Sequence, residues 1–273
     1  MPPTCPTRWC RSSAWDAVAV TDSIDLAAWL RSVCSDYSFD LLGVYQERGD
    51  HDWPVTVANA AQLRQLVVDG GHILPLPKEP ASLANVLEVS VADFVAERAR
   101  EVGAITTVRG TERGYPDLEF TGPALAGEFH AVDIKVARRK PTARGVSKNT
   151  QSRITLYTGN TYFRYPALRW PGTFRPFAEY ESHLDIIVLY TLNEDTQSRV
   201  EDLEIIVQPA WRIASKQRSS TTREYIGAVV DIDDLRHGRG EFQTPEEFYA
   251  YWRKYGFKVG KVVQQQLDKM LKG

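Results

Sequence analysis

Hydrophobic side chains over residues 81–102 recur at steps of three and four, the spacing of one face of an α-helix. Gly103 follows this run and predicts its end, because glycine is favoured just past a helix C-terminus. Residues 128–137 instead alternate between apolar and polar side chains, which predicts a β-strand. Further extended segments are predicted at residues 104–108, 117–120, 184–190, 203–207 and 211–214.

Two more helices are predicted near the C-terminus. Pro245 stands at the tolerated first-turn position of one, and Glu246 and Glu247 carry charges that suit a helix N-terminus. The other covers residues 259–271, and a short helical start is predicted within 176–183. This order of elements predicts an α/β or α+β fold, in which helices flank a mixed central sheet. We expect a single domain, with residues 1–20 as a loose N-terminal tail.

Composition narrows the class of protein. The 273 residues are 43% hydrophobic and 25% charged, which is typical of a soluble globular chain. No apolar run reaches the roughly eighteen residues of a membrane-spanning helix, and the N-terminus lacks the apolar segment of a secretory signal. The three cysteines form neither a paired framework nor a zinc site. We therefore expect a cytoplasmic protein that has no membrane partner.

Charge is distributed unevenly, although the formal net charge is only −2. The segment between Asp133 and Glu179 has no acid and contains Lys135, Arg138, Arg139, Lys140, Arg144, Lys148, Arg153, Arg164, Arg169 and Arg175. A second acid-free run follows Glu204 and contains Arg212, Lys216, Arg218 and Arg223. Clustered cations neutralise phosphates, so this pattern favours a nucleic-acid partner over a basic face that is merely solvated.

Three residues carry the main chemical prediction. Asp117 begins one predicted strand, while Asp133 and Lys135 lie two residues apart on the next, so the latter two side chains share one face. Carboxylates can hold Mg²⁺, and a lysine beside an attacking water adds positive charge, which together suit phosphodiester hydrolysis. The spacing alone is a weak signal, because Pro-Asp is also a common turn dipeptide. It gains weight because two charged residues on one face of an apolar strand need a partner or an ion.

Glu88 is a further candidate, on the predicted helix 81–102. It lies beside Leu87 and Val91, so it is either a metal ligand or a surface acid, and periodicity alone favours the surface. His130 and His183 have no Ser/His/Asp or Cys/His constellation around them in sequence, and we assign them no catalytic role.

At these residues the chain resembles the EcoRV family of restriction endonucleases, within the Pro-Asp…(Asp/Glu)-x-Lys nuclease superfamily. Glu88, Asp117, Asp133 and Lys135 match the mutual spacings of that family's helix glutamate and catalytic core. Residues 175–183 resemble a family segment in which Pro-Phe, Tyr and His occupy the same positions. Several short motifs between residues 226 and 255 also occur in the order in which the family's C-terminal block has them.

The resemblance implies a restriction-endonuclease-like fold and a homodimer whose cleft binds duplex DNA. Asp117 and Asp133 would be ligands of Mg²⁺, for which Mn²⁺ is expected to substitute. Lys135 would position or activate the water, and Glu88 would be an auxiliary acid able to join a metal site. Residues 21–80 would form a dimerisation region with an insertion around 50–73, and residues 81–273 the nuclease core.

The same resemblance implies two loops that read DNA. A minor-groove loop would comprise Thr111, Glu112 and Arg113. A major-groove loop would comprise Ser219, Ser220, Thr221, Thr222, Arg223 and Glu224. This second loop lacks the glycines and the asparagine of the family pattern, whereas Arg223 offers a fork that suits guanine, so the recognition sequence is not carried over. Further candidates for DNA contacts are Arg138, Arg139 and Lys140.

The leading hypothesis is a Mg²⁺-dependent type II restriction endonuclease that cuts duplex DNA at a short palindrome and leaves 5′-phosphate ends. A cognate DNA methyltransferase is expected as its functional partner. The first alternative is a repair nickase or a junction resolvase of the same superfamily. The second is a DNA-binding protein that does not cleave, which the complete set of Asp117, Asp133 and Lys135 disfavours.

Overall fold

A computed structural model of the chain describes residues 23–39, 58–62, 64–65, 80–110, 114–143, 145–158, 162–193, 200–219, 225–256 and 261–272. The predicted tail, residues 1–20, and most of the predicted insertion around 50–73 lie outside these residues. The helices are α1 (Leu26–Ser35), α2 (Pro80–Val102), α3 (Ala210–Ile213), α4 (Ile232–His237), α5 (Pro245–Lys254) and α6 (Lys261–Met270). None of the helices in this described part is long and apolar enough to cross a membrane.

The strands form two sheets. They are β1 (Thr106–Arg109), β2 (Leu118–Thr121), β3 (His130–Thr142), β4 (Gly145–Gln151), β5 (Thr155–Thr158), β6 (Ser182–Leu192), β7 (Val200–Pro209), β8 (Ala214–Arg218) and β9 (Tyr225–Ala228). The central sheet has the order β1-β2-β3-β6-β7, with β4 paired to β3. Strands β3 and β6 run parallel, and their other neighbours are antiparallel. The smaller sheet has the order β5-β9-β8.

Helices pack on the central sheet as the sequence predicts, which confirms the α+β class with a mixed sheet flanked by helices. Helix α1 contacts β7, and α2 contacts β3. Side chains of Trp29, Val95, Phe120, Ile134 and Ile186 meet in one buried cluster between these helices and the sheet. The arrangement fits the restriction-endonuclease-like fold.

The opposite face of the central sheet buries a second cluster. Ala131 and Ile187 of the central sheet contact a layer that includes Tyr157, Ile226 and Trp252, from β5, β9 and α5. Because strand side chains alternate, Ile134 and Ile186 point to the helices while Asp133, Lys135 and Asp185 point to the second cluster. The face that carries the charged residues is thus covered by the small sheet and the C-terminal helices.

Most predicted boundaries are close to the observed ones. Gly103 follows α2 with φ +69°, as the helix-ending prediction requires. Strand β3 begins at His130 and extends to Thr142, beyond the predicted end at residue 137. Helix α5 begins at Pro245 after Thr244, whose side chain accepts a hydrogen bond from the backbone N–H of Glu247.

The predicted strand at 211–214 is wrong. Residues Ala210–Ile213 form the single helical turn α3, and extended structure resumes only at β8. The three-residue spacing of Ala210 and Ile213 puts both on one face of that turn, where both are buried. The sequence of so short a segment does not distinguish a helix from a strand, because the segment covers barely one helical turn.

Candidate active site

Asp117 and Asp133 face each other across two antiparallel strands. The register pairs Leu118 with Val132, so the next position in sequence places Asp117 opposite Asp133. The backbone N–H of Asp117 donates to Oδ1 of Asp133 at 3.3 Å, and Oδ2 of Asp117 accepts from the N–H of Ile134 at 2.6 Å. These hydrogen bonds fix each carboxylate relative to the backbone of the facing segment.

Lys135 lies on the same strand as Asp133 and adds a positive charge beside the two carboxylates. Its Nζ forms an ion pair with Oδ2 of Asp133, as the two-residue spacing on one strand face predicts. Asp133 is 5% exposed, and the lysine side chain is 22% exposed, so the pair lies at the boundary between core and solvent. The structure therefore brings Asp117, Asp133 and Lys135 together in one place.

Glu88 of α2 lies on the rim of the same site. It lines a cavity of about 420 Å³ together with Asp117, Asp133 and Lys135. Burial raises the pKa of Glu88, and the nearby positive charge of Lys135 opposes that shift. This half-buried position at the cavity contrasts with the surface position that periodicity alone favours, and it fits the role of an auxiliary acid.

The far wall of the cavity is aromatic and basic. It is formed mainly by Arg153, Tyr157, Tyr162 and Tyr225. Arg153 donates through Nη1 to the backbone oxygen of Ser219 at 3.1 Å, next to the predicted major-groove loop. Arg153 belongs to the acid-free basic segment seen in the sequence, whereas sequence reasoning missed the three tyrosines, which come from segments remote from β3.

Burial and mutual repulsion act on the Asp117 carboxyl. Desolvation, followed by the neighbouring negative charge of Asp133, raises the pKa of Asp117 to about 8, while Lys135 opposes the shift. For Lys135, desolvation lowers the pKa, but Asp133, Asp117 and Asp185 together outweigh it and the net direction is upward. The negative charge of Asp133 contributes to both upward shifts, in addition to the effect of burial on each group.

A fourth acid, Asp185, lies directly beside Asp133. Strands β3 and β6 run parallel with Asp133 paired to Asp185, so both side chains leave the sheet on the same face. Asp185 is 0% exposed. Sequence reasoning missed it, although the signal was available: it is a charged residue in an otherwise apolar strand, as Asp133 is.

The donor set suits a magnesium ion that shares its coordination with the substrate. Within the described residues no group of three or more His, Cys, Asp or Glu side chains is arranged to hold a metal by itself. Mg²⁺ commonly uses one or two carboxylates and completes its shell with waters and substrate phosphates. The Asp117–Asp133 pair, open to the cavity, provides such a partial site.

His183 belongs to the core beside the site. Its ring stacks on Phe177 with centroids 3.8 Å apart, and its Nδ1 lies 2.6 Å from the hydroxyl of Tyr115. Burial lowers the pKa of His183 to about 3. His130 instead contacts the hydroxyl of Ser182 at 2.8 Å. Neither histidine lines the cavity, consistent with leaving both out of the catalytic set.

The predicted DNA contacts are only partly described. Thr111, Glu112 and Arg113 lie outside the described residues, as do Ser220, Thr221, Thr222, Arg223 and Glu224. Ser219 is described, and its hydroxyl contacts that of Thr155 at 2.9 Å.

The three predicted DNA contacts on β3 differ from one another. Lys140 is exposed and Arg138 is half-buried. Arg139 forms an ion pair with Glu204 at 2.8 Å, so it also has a structural partner within the protein.

Comparison with known proteins agrees with this geometry. The family model described as restriction endonuclease EcoRV matches residues 49–272. The type II restriction enzyme EcoRV of Escherichia coli is 24% identical over 201 residues, which cover 68% of this chain and 78% of that enzyme. The matched region includes Glu88, Asp117, Asp133 and Lys135 as well as the cavity they line. The chain therefore belongs to the EcoRV restriction endonuclease family.

Proposed function

We propose that the chain is a type II restriction endonuclease that hydrolyses duplex DNA with Mg²⁺ at the Asp117–Asp133 pair. The observation that carries this proposal is the placement of Asp117, Asp133 and Lys135 around one open cavity. Membership of the EcoRV family supports DNA as the substrate. Mn²⁺ is expected to replace Mg²⁺, because both are hard cations that accept oxygen ligands.

Each side chain has a definable task in this chemistry. Asp117 and Asp133 would hold Mg²⁺, which supplies positive charge against the negative charge that develops on the phosphate during hydrolysis. Lys135, anchored by Asp133, would donate a hydrogen bond from Nζ to the attacking water or to the phosphate. Glu88 faces the same cavity from α2 and would take the role of an auxiliary acid. The expected products of cleavage carry a phosphate at their new 5′ ends.

A homodimer is the expected functional unit, because cleavage of both strands at a palindrome requires two related sites. Residues 21–80 are the proposed dimerisation region, and much of that region lies outside the described residues. The proposed DNA contacts are the loops at 111–113 and 219–224, together with Arg138, Arg139 and Lys140. A methyltransferase that protects the same sequence is the expected functional partner.

Digestion of a plasmid of known sequence tests the proposal. Wild-type protein with Mg²⁺ is expected to give discrete linear fragments whose mapped ends share one short palindrome and carry 5′ phosphates. Chelation of the metal, and separately the substitution Asp133→Asn, should abolish cleavage while DNA binding persists.

Other results would contradict the proposal. Nicked circles, or cleavage of branched DNA alone, would indicate a repair nickase or a junction resolvase. Binding without cleavage on varied DNA and in varied buffers would indicate a non-cleaving protein. Equal cleavage by wild type and Asp133→Asn would remove the proposed site.

A further inference from the structure

Asp185 lies in β6, where every residue from His183 to Thr191 is buried. It pairs with Asp133 on β3 and with Gln208 on β7, and its side chain is fully excluded from solvent. The flanking residues Leu184 and Ile186 belong to the core on the opposite face of the sheet. Asp185 therefore reaches neither the surface nor the helix side, and it faces the layer that contains the active site.

Neither carboxylate oxygen of Asp185 has a hydrogen-bond partner among the described residues. A buried carboxylate without a partner is costly, because the low-polarity interior disfavours its charge. Glu119, another buried acid of this sheet face, shows the ordinary solution: Arg175 binds it through Nε at 2.7 Å and Nη2 at 2.9 Å. Asp185 has no comparable cation.

The charges around Asp185 are unbalanced. Asp117, Asp133 and Asp185 carry one negative charge each when ionised, and Lys135 supplies one positive charge, so two negative charges remain. Lys135 is already bound by Asp133. A divalent cation in the cavity would supply the missing charge. Ionisation of all three acids would thus be balanced by one ion of charge +2, which is the class of ion that the proposed function requires.

We propose that Asp185 is a positioning residue of the metal site, which strengthens divalent-cation binding by the Asp117–Asp133 pair from behind Asp133. This inference rests on the proposed metal-dependent function. Asp185 acts through its neighbours, since it does not line the cavity. It would add negative potential to the site from the strand beside Asp133.

The test measures cation binding by the full chain without DNA. Mn²⁺ is titrated calorimetrically into metal-free wild type, Asp185→Asn and Glu97→Gln. Asp185→Asn is expected to bind Mn²⁺ at least roughly 10-fold more weakly, because removal of one nearby negative charge weakens the attraction for a divalent cation. Glu97 is an exposed acid on α2, so Glu97→Gln removes the same charge and should bind as wild type does.

A second readout separates positioning from a purely structural role. In urea without metal, Asp185→Asn should be at least as stable as wild type, because an amide does not need a charge-balancing partner in the core. In saturating Mn²⁺, wild type should instead be more stable than Asp185→Asn. A structural role would instead lower the stability of the metal-free variant and leave Mn²⁺ affinity unchanged.

Asp185→Leu provides an independent variant, since leucine has nearly the shape of aspartate and the strand is otherwise apolar. It should reproduce the weakened Mn²⁺ binding. Unchanged Mn²⁺ affinity in both variants, or failure of both to fold, overturns the role of Asp185. Absence of Mn²⁺ binding by wild type, both alone and with a duplex that resists cleavage, would instead overturn the metal-dependent function on which it rests.

Discussion

Asp117 and Asp133 are each held by a hydrogen bond from the backbone of the segment that faces them. The N–H of Asp117 donates to Asp133, and the N–H of Ile134, one residue further along β3, donates to Asp117. The separation of the two carboxylates is therefore set by hydrogen bonds that exist before any ion binds. A site whose ligands are already positioned loses less conformational entropy on binding than one whose ligands must be ordered.

Lys135 should be required for cleavage and dispensable for DNA binding. Lys135→Met removes the cation beside Asp133, and the cleavage rate is expected to fall at least about a hundredfold, as for loss of one charge-stabilising donor. Single-turnover cleavage and a mobility-shift titration measure the two effects. Lys269→Met, an exposed lysine on α6, should cleave as wild type does. A parallel loss of binding and cleavage in Lys135→Met would contradict this assignment.

Gly110 should control the position of Asp117. A Cβ atom at residue 110 would lie 2.2 Å from the backbone oxygen of Pro116, so Gly110→Ala must displace the segment that carries Asp117. A displacement of about 1 Å can cost about a hundredfold in rate. We expect reduced cleavage by Gly110→Ala at a substrate concentration that saturates binding. Gly256→Ala is the control, because no atom lies within 4 Å of its added Cβ.

The Glu119–Arg175 pair should make a large contribution to stability. Glu119 accepts two hydrogen bonds from Arg175 and one from the hydroxyl of Tyr180 at 2.9 Å, and it is 5% exposed. Glu119→Ala leaves Arg175 without its buried partner and should lower the free energy of unfolding by about 3–5 kcal/mol. Urea denaturation measures the loss. Glu179→Ala should cost under about 1 kcal/mol, since this acid is largely exposed and lies 3.7 Å from Arg175.

His183 should make the fold sensitive to acid. Its pKa falls from 6.5 in the unfolded chain to about 3 in the folded protein, so the unfolded state binds the additional proton between these values. Stability is therefore full above pH 6.5 and declines as the pH falls toward 3, by up to about 1.4 kcal/mol per pH unit. Between pH 7 and pH 5, the free energy of unfolding measured in urea should fall less for His183→Gln than for wild type. Equal declines would show that His183 is not the titrating group.

Arg138 and Lys140 should contribute to DNA affinity through phosphates. Neither forms an ion pair with a described acid, whereas Arg139 pairs with Glu204. Each of Arg138→Gln and Lys140→Gln should weaken binding to all DNA sequences and reduce the slope of log K against log salt by about 1. Arg31→Gln, an exposed arginine on α1, should leave the slope unchanged. An unchanged slope in both β3 variants would place the DNA elsewhere.

Local pattern was sufficient for much of the fold. The three- and four-residue spacing of apolar side chains predicted α2, and alternation predicted the beginning of β3. The shared face of Asp133 and Lys135 also followed from sequence, because alternation along a strand is a property of the chain itself. Turn and cap residues located the ends of α2 and the start of α5 for the same reason. Where apolar spacing was compatible with either period, as in α3, the prediction was wrong.

Tertiary structure decided which residues of different strands are neighbours. The antiparallel register of β2 and β3 puts Asp117 opposite Asp133, and the parallel register of β3 and β6 puts Asp185 beside it. Glu88 and Tyr157 reach the same cavity from a helix and from the second sheet. Strand register and packing are set by contacts between residues far apart in sequence, so no local periodicity encodes them. The sequence by itself therefore determined the candidates Asp117, Asp133 and Lys135, and the packing of the strands determined how many carboxylates meet at the site.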